Sequence, residues 1–79
     1  MTDRMMLNEQ AITYGWEYTS YGPGVDYRSN VLGVPITVLI TYTPEGEFRQ
    51  ADARAQGGNM PKRLDRSETL HFLYRYGTK

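Results

Sequence analysis

The chain has no cysteine, a single histidine and no apolar run long enough to span a membrane. Without cysteine it forms neither disulfides nor thiolate metal sites. One imidazole, His71, and no clustered carboxylates leave no zinc-type ligand set, so no metal and no cofactor is expected. The opening Met1-Thr2-Asp3-Arg4 leads into no apolar stretch, and no Asn-x-Ser/Thr sequon occurs. Those absences predict no signal peptide, no membrane segment and a cytoplasmic location. Net charge is also lacking: nine basic residues balance nine acidic ones. A neutral chain is a poor bulk binder of nucleic acid, whose affinity comes mostly from phosphate neutralisation.

Seventy-nine residues make one domain, 1–79. A chain this short buries only about 60% of the surface it exposes when unfolded, so such domains are marginal. With disulfides and metals excluded, the remaining external aid is a second subunit, and a homodimer is one expected state.

What is present is tyrosine, strand-forming sequence and an uneven spread of charge. Residues 1–46 carry two basic and five acidic residues; residues 47–79 carry seven basic and four acidic. A local basic patch in the second half is therefore an open possibility. Seven tyrosines and one tryptophan suit half-buried strands, and they also suit interfaces.

The stretch from Asp3 to Tyr14 reads as a helix, with Met5, Met6, Leu7, Ala11 and Ile12 as its apolar stripe. Thr2, Asp3 and Asn8 are the candidate caps. Gly15 stands where a left-handed residue ends a helix, and Trp16 follows as the apolar residue that packs back on it. Trp16 to Tyr21 alternates aromatic and polar residues, Gly22-Pro23-Gly24 is a turn, and Val25 to Arg28 is a second short strand. Ser29 to Pro35 reads as irregular, since proline is excluded from a central ladder.

Ile36 to Thr43 is the clearest strand: six of its eight residues are β-branched. Ile36, Val38, Ile40 and Tyr42 point one way, and Thr37, Leu39 and Thr41 the other. Thr43-Pro44-Glu45-Gly46 fits a type I turn, and Glu47 to Arg54 returns antiparallel. The phase slips between Phe48 and the Ala51/Ala53 pair, which predicts a bulge. Gln56 to Leu64 reads as a flexible loop. A last helix spans about Arg66 to Tyr76, with Asp65 and Glu68 at capping-box spacing, Leu70, Leu73 and Tyr74 facing inward, and Gly77 as its end. The expected fold is α+β: an antiparallel sheet of three to four strands with the N-terminal and C-terminal helices packed on one face, burying Ile36, Val38 and Ile40 against Leu70, Leu73 and Ile12.

Chemistry-bearing constellations are few. Ser67 and His71 lie four apart, on one face of the last helix, with Asp65 close by. Helix capping already accounts for Asp65 and Ser67, and a triad also needs an oxyanion hole, so no catalytic residue is assigned. The Gly57–Arg63 stretch lacks the ending of a phosphate-binding loop. Lys62, Arg63 and Arg66, ahead of a helix N-terminus, are the candidate nucleic-acid-binding residues. The candidate partner-binding surface is either the outer sheet face, where Leu39 stands apolar between Thr37 and Thr41, or the edge of the last helix that carries Phe72 and Tyr76, four apart.

The order of a helix ending at Gly15-Trp16, strands, and a last helix with Thr69-Leu70 and Leu73 resembles the αβββα layout of HicA-type mRNA-cleaving toxins and of double-stranded-RNA-binding domains. Those toxins place a catalytic histidine in the early strands, and positions 16–48 contain none. The resemblance thus implies the layout without the ribonuclease. Met60 to Arg66 partly echoes the basic cluster that opens the last helix of the RNA binders. The stretch Ile40 to Gly46, followed by Ala51-Asp52-Ala53, resembles small orphan proteins of actinobacterial phages. That resemblance implies a protein made inside an infected bacterium, where it binds a host protein. The expectation is a non-enzymatic binding protein with a host-protein partner, and an RNA-binding module is the alternative.

Overall fold

In the computed structural model, residues 1–55 and 62–78 are described, the side chain of Tyr21 aside. The elements are α1 (Asp3–Thr13), β1 (Glu17–Tyr21), β2 (Gly24–Val31), β3 (Val34–Tyr42), β4 (Phe48–Ala55), β5 (Lys62–Leu64) and α2 (Arg66–Arg75). The strands form one antiparallel sheet in sequence order, β1-β2-β3-β4-β5, and the chain is an α+β domain with a helix at each end. The sheet has five strands rather than three or four. No helix among the described residues is long and apolar enough to cross a membrane.

One sheet face carries the core. Val25 and Tyr27 of β2, Ile36, Val38, Ile40 and Tyr42 of β3, Ala51 and Ala53 of β4, and Leu64 of β5 are buried there. Leu7 and Ala11 of α1, Trp16, and Leu73 of α2 cover them. Each large aliphatic buried in this way contributes about 1.5–3 kcal/mol relative to exposure. Both helices therefore lie on one face, as expected, but their stripes are rotated from the predicted ones. Ile12 is 49% exposed and Tyr74 is 63% exposed, while Leu7 and Ala11, one turn apart, and Leu73 with Thr69 point inward. Tyr74 packs edge-on against Tyr14 at 5.4 Å, joining the two helices at their outer surface.

Helix ends follow the residues that signal them. Thr2 caps α1 by accepting from the Met5 N–H. At the other end Gly15 takes φ +87°, the Trp16 N–H donates to the Ala11 carbonyl and the Gly15 N–H to Ile12. That pair of bonds is a Schellman motif. The Asp65 carboxylate accepts from the Glu68 N–H, and the Glu68 side chain accepts from the Asp65 N–H, completing the capping box on α2. Gly77 follows α2 without a positive φ. It is needed because a Cβ there would strike the Tyr14 carbonyl and side chain, where the C-terminal ends of the two helices meet.

Two segments depart from the sequence reading. Ser29 to Pro35 is a tight hairpin: β2 continues to Val31, Leu32-Gly33 forms the two-residue turn, and β3 starts at Val34. Both turn residues have positive φ, +52° and +84°, as a type I′ turn requires. Pro35 is accommodated because Asn30 and Pro35 form a non-hydrogen-bonded pair, so its ring nitrogen faces away from β2 and lies past the last β3–β4 pair, Ile36 with Ala55. The second departure is Lys62–Leu64, a strand rather than loop, paired with Ala51–Ala53. The remainder of that expected loop, Gln56–Pro61, lies outside the described residues.

The predicted bulge is present. Thr41 pairs with Gln50 and Tyr42 with Phe48, leaving Arg49 as the extra residue. The turn before it closes with the Gly46 N–H on the Thr43 carbonyl at 2.9 Å.

Candidate functional site

The groove that concentrates aromatic surface runs along α2 beside β5. Alternation in β5 sends Leu64 and Lys62 to the helix side of the sheet and Arg63 to the other. On α2, Phe72 and Tyr76 stand one turn apart and face that strand. Leu64 is buried, Phe72 and Tyr76 are half-buried, and their two rings lie 4.6 Å apart. Ser67, Glu68, His71 and Arg75 of α2, with Lys62, form an exposed rim. The result is an open groove of about 530 Å³ with an apolar floor and a charged margin.

The floor is held from behind. Trp16 lies 6.2 Å from Phe72, and its indole N–H donates to the Leu73 carbonyl at 2.9 Å in a buried bond. The Ser29 hydroxyl donates to the Tyr76 carbonyl at 2.7 Å. Both acceptors belong to the last turn of α2, where carbonyls lack helical partners, so β2 and the α1–β1 junction satisfy them. The Arg75 guanidinium sits 5.7 Å over the Tyr76 ring, a cation–π contact that leaves its charge on the rim.

Of the expected partner-binding residues, Phe72 and Tyr76 come together and Leu39 does not join them. Leu39 lies on the opposite, helix-free face of the sheet, between Asp26 on β2 and Asp52 on β4. It is half-buried rather than exposed. Its neighbours in the adjacent row are Arg28, Thr37 and Arg54, so that face is a polar surface with one apolar spot.

The expected nucleic-acid residues diverge. Lys62 lines the groove, while Arg63 points to the outer face and pairs with Asp52 at 2.8 Å. Arg66 pairs with Asp3 at 3.0 Å, at the other end of α2 from Tyr76. Ser67 and His71 both reach the groove rim, and no hydrogen bond joins them among the described residues. Asp65 is occupied by the cap. Among the described residues no group of three or more His, Cys, Asp or Glu side chains gathers as metal ligands.

Two polar centres escaped the sequence reading. Asp3 accepts from the Phe48 N–H at 2.9 Å and from Arg66 at 3.0 Å, joining α1, the β3–β4 hairpin and α2. The Phe48 hydrogen bond, followed by that from Arg66, holds its carboxyl below the ordinary value. The second centre is a buried chain of hydroxyls. Tyr27 donates to the Asn8 side-chain oxygen at 3.2 Å, so the 3.1 Å bond between the two phenols must be donated by Tyr42. Burial raises both phenols, and Tyr42 rises further because it donates to Tyr27. Alternation placed Tyr42 inward, but nothing in sequence pairs it with Tyr27. These groups brace the fold and lie away from the groove.

No family model, curated protein or solved structure matches the chain.

Proposed function

We propose that this chain is a non-enzymatic protein-binding domain whose contact surface is the groove between α2 and β5. The observation that carries the proposal is the pair of half-buried aromatic rings, Phe72 and Tyr76, 4.6 Å apart over Leu64 inside a polar rim. Aromatic anchors with an arginine, an apolar centre and a charged margin are the anatomy of a protein-contact patch. The partner that fits is a short apolar segment of another protein, with one side chain set against the paired rings and Leu64 on the groove floor. The phage resemblance supports a bacterial host protein as that partner. The RNA-binding alternative keeps Lys62 in the groove, but Arg63 and Arg66 are turned elsewhere and held in ion pairs. A neutral chain with diverging cations favours the protein partner.

The test is affinity capture of the tagged protein from bacterial lysate, with and without nuclease, beside a Phe72→Ala/Tyr76→Ala variant checked for its fold by circular dichroism. The expected result is one stoichiometric protein that survives nuclease and is lost with the double variant. Recovery of nucleic acid, or capture that persists in a folded double variant, would overturn the proposal.

A further inference from the structure

The edge of the sheet far from the groove carries a second surface, and its chemistry is self-complementary. Among the described residues β1 is an edge strand, with β2 on one side and no strand on the other. It pairs with β2 in unbroken register from Glu17–Arg28 to Tyr21–Gly24. The two-residue connection makes Tyr21–Gly24 a hydrogen-bonded pair, so the backbone groups of Thr19 and Glu17 face β2 and those of Tyr18 and Ser20 face outward. No backbone partner for those outward groups occurs among the described residues. Edge strands are usually blunted by lysine, proline, a bulge or a covering element. The five residues Glu-Tyr-Thr-Ser-Tyr contain no lysine or proline, and their register shows no bulge.

Exposed apolar side chains gather on the same side. Met5, Asn8 and Ile12 share one flank of α1 by helical spacing. Asn8 touches Tyr27 of β2, whereas Asp3 and Tyr14 on the other flank touch Arg66 and Tyr74 of α2. The Met5–Ile12 flank therefore overhangs the β1 side. Met5 is 54% exposed and Ile12 49%, and Tyr18, on the helix side of β1, is 46% exposed.

We propose that β1 pairs antiparallel with β1 of a second copy about a two-fold axis at Thr19, extending the sheet to ten strands. This register is set by the outward groups. Centred on Thr19, Tyr18 of each copy stands opposite Ser20 of the other, and all four outward N–H and C=O pairs find partners. Centred on Tyr18, the register would need the Trp16 N–H, which is committed to Ala11. Centred on Ser20, it would run into the Gly22 turn. The charges agree with the same register: Glu17 stands opposite position 21 of the second copy rather than its own equivalent, and threonine meets threonine, a favourable cross-strand pair. The two Tyr18 rings become diagonal neighbours beneath the Met5 and Ile12 side chains of two α1 helices, so each copy covers what the other exposes. The groove on α2 stays open, and this inference stands independently of it.

Because the chain has no cysteine, Thr19→Cys introduces a unique thiol at the axis. Opposed residues of a non-hydrogen-bonded pair lie about 4.5 Å apart at Cα, within disulfide reach. The expected results are threefold. The mass by light scattering rises from 9.1 kDa toward twice that with concentration. Thr19→Lys, which sets two ammonium groups face to face, stays at the monomer mass with an unchanged circular dichroism spectrum. Thr19→Cys forms a disulfide dimer under mild oxidation at least about ten times faster than Gln50→Cys, an exposed thiol on the outer face of β4. A monomer mass at every concentration, or equal oxidation rates for the two thiols, would overturn the proposal.

Discussion

The two hairpin tips on either side of β3 are built to opposite ends. The Thr43–Gly46 tip is fastened to the helix layer: the Arg4 N–H donates to the Gly46 carbonyl at 2.9 Å, Phe48 donates to Asp3, and a Cβ on Gly46 would come within 2.9 Å of Thr2. Among the described residues the Leu32-Gly33 tip is hydrogen-bonded only to itself, through the Asn30 side chain accepting from the Gly33 N–H at 2.9 Å. Leu32 is fully exposed and holds φ +52°, and a Cβ on Gly33 would meet nothing within 4 Å. One tip uses its glycine for close packing as well as for its backbone angle. The other leaves a branched apolar side chain strained in solvent. Stability is therefore expected to be concentrated at the α1 N-terminal end of the sheet.

The largest effect expected is from Gly46→Ala. It forces both a positive-φ penalty and a clash with Thr2 at the fastened tip, and denaturant unfolding should show a loss of about 2–3 kcal/mol. The matching change at the free tip, Gly33→Ala, meets only the backbone term and should cost about 1 kcal/mol. Equal losses at the two glycines would break the comparison.

Next come the phenols beneath the fastened end. Tyr42→Phe removes the hydroxyl that donates to Tyr27 and should cost about 1 kcal/mol by the same measurement. Because burial raises both phenols in the folded state, they favour the neutral form. Their contribution is full below the ordinary tyrosine value of 10.0 and is lost as pH rises beyond it. Ultraviolet titration of Tyr27→Phe and Tyr42→Phe variants beside the parent should therefore show these two phenols ionising only as the protein unfolds in alkali.

At the free tip, Leu32→Asn should stabilise by about 0.5–1 kcal/mol, since asparagine adopts the left-handed angle at lower cost than leucine. A stabilised variant that still captures its partner would show that Leu32 serves neither fold nor binding. The smallest effect is at Asp3. Its carboxyl lies below the ordinary value of 3.8, so its contribution is present above that pH and is lost as pH falls through the lowered folded value. Asp3→Asn should flatten the acid limb of the stability–pH curve and leave the alkaline limb unchanged.

Much of the architecture was legible where one residue type has one structural use. Gly15-Trp16 ended α1, Asp65 with Glu68 opened α2, and the phase slip after Phe48 marked the bulge. The Leu32-Gly33 hairpin was hidden because its first turn residue belongs to the wrong class for the backbone it adopts. β5 was hidden because three residues, two of them cations, are too short to alternate visibly. It exists through Leu64 reaching the core and Arg63 meeting Asp52. Ile12 and Tyr74 were misplaced because spacing gives a helix its stripe but not the rotation its neighbours select. For the site, the spacing of Phe72 and Tyr76 was visible. The strand that turns that pair into a groove was not, and parity alone sent Leu39 to the opposite face.

The central claim is that the α2–β5 groove, and not the polar outer face of the sheet, meets the partner. Site-specific photo-crosslinking tests it most directly, with a photoreactive phenylalanine at position 71 on the groove rim and, in a parallel protein, at position 50 on the outer face, irradiated in bacterial cells. The account predicts one discrete protein adduct from position 71 and none from position 50. The same adduct from position 50 alone, or nucleic acid as the main adduct from position 71, would contradict it.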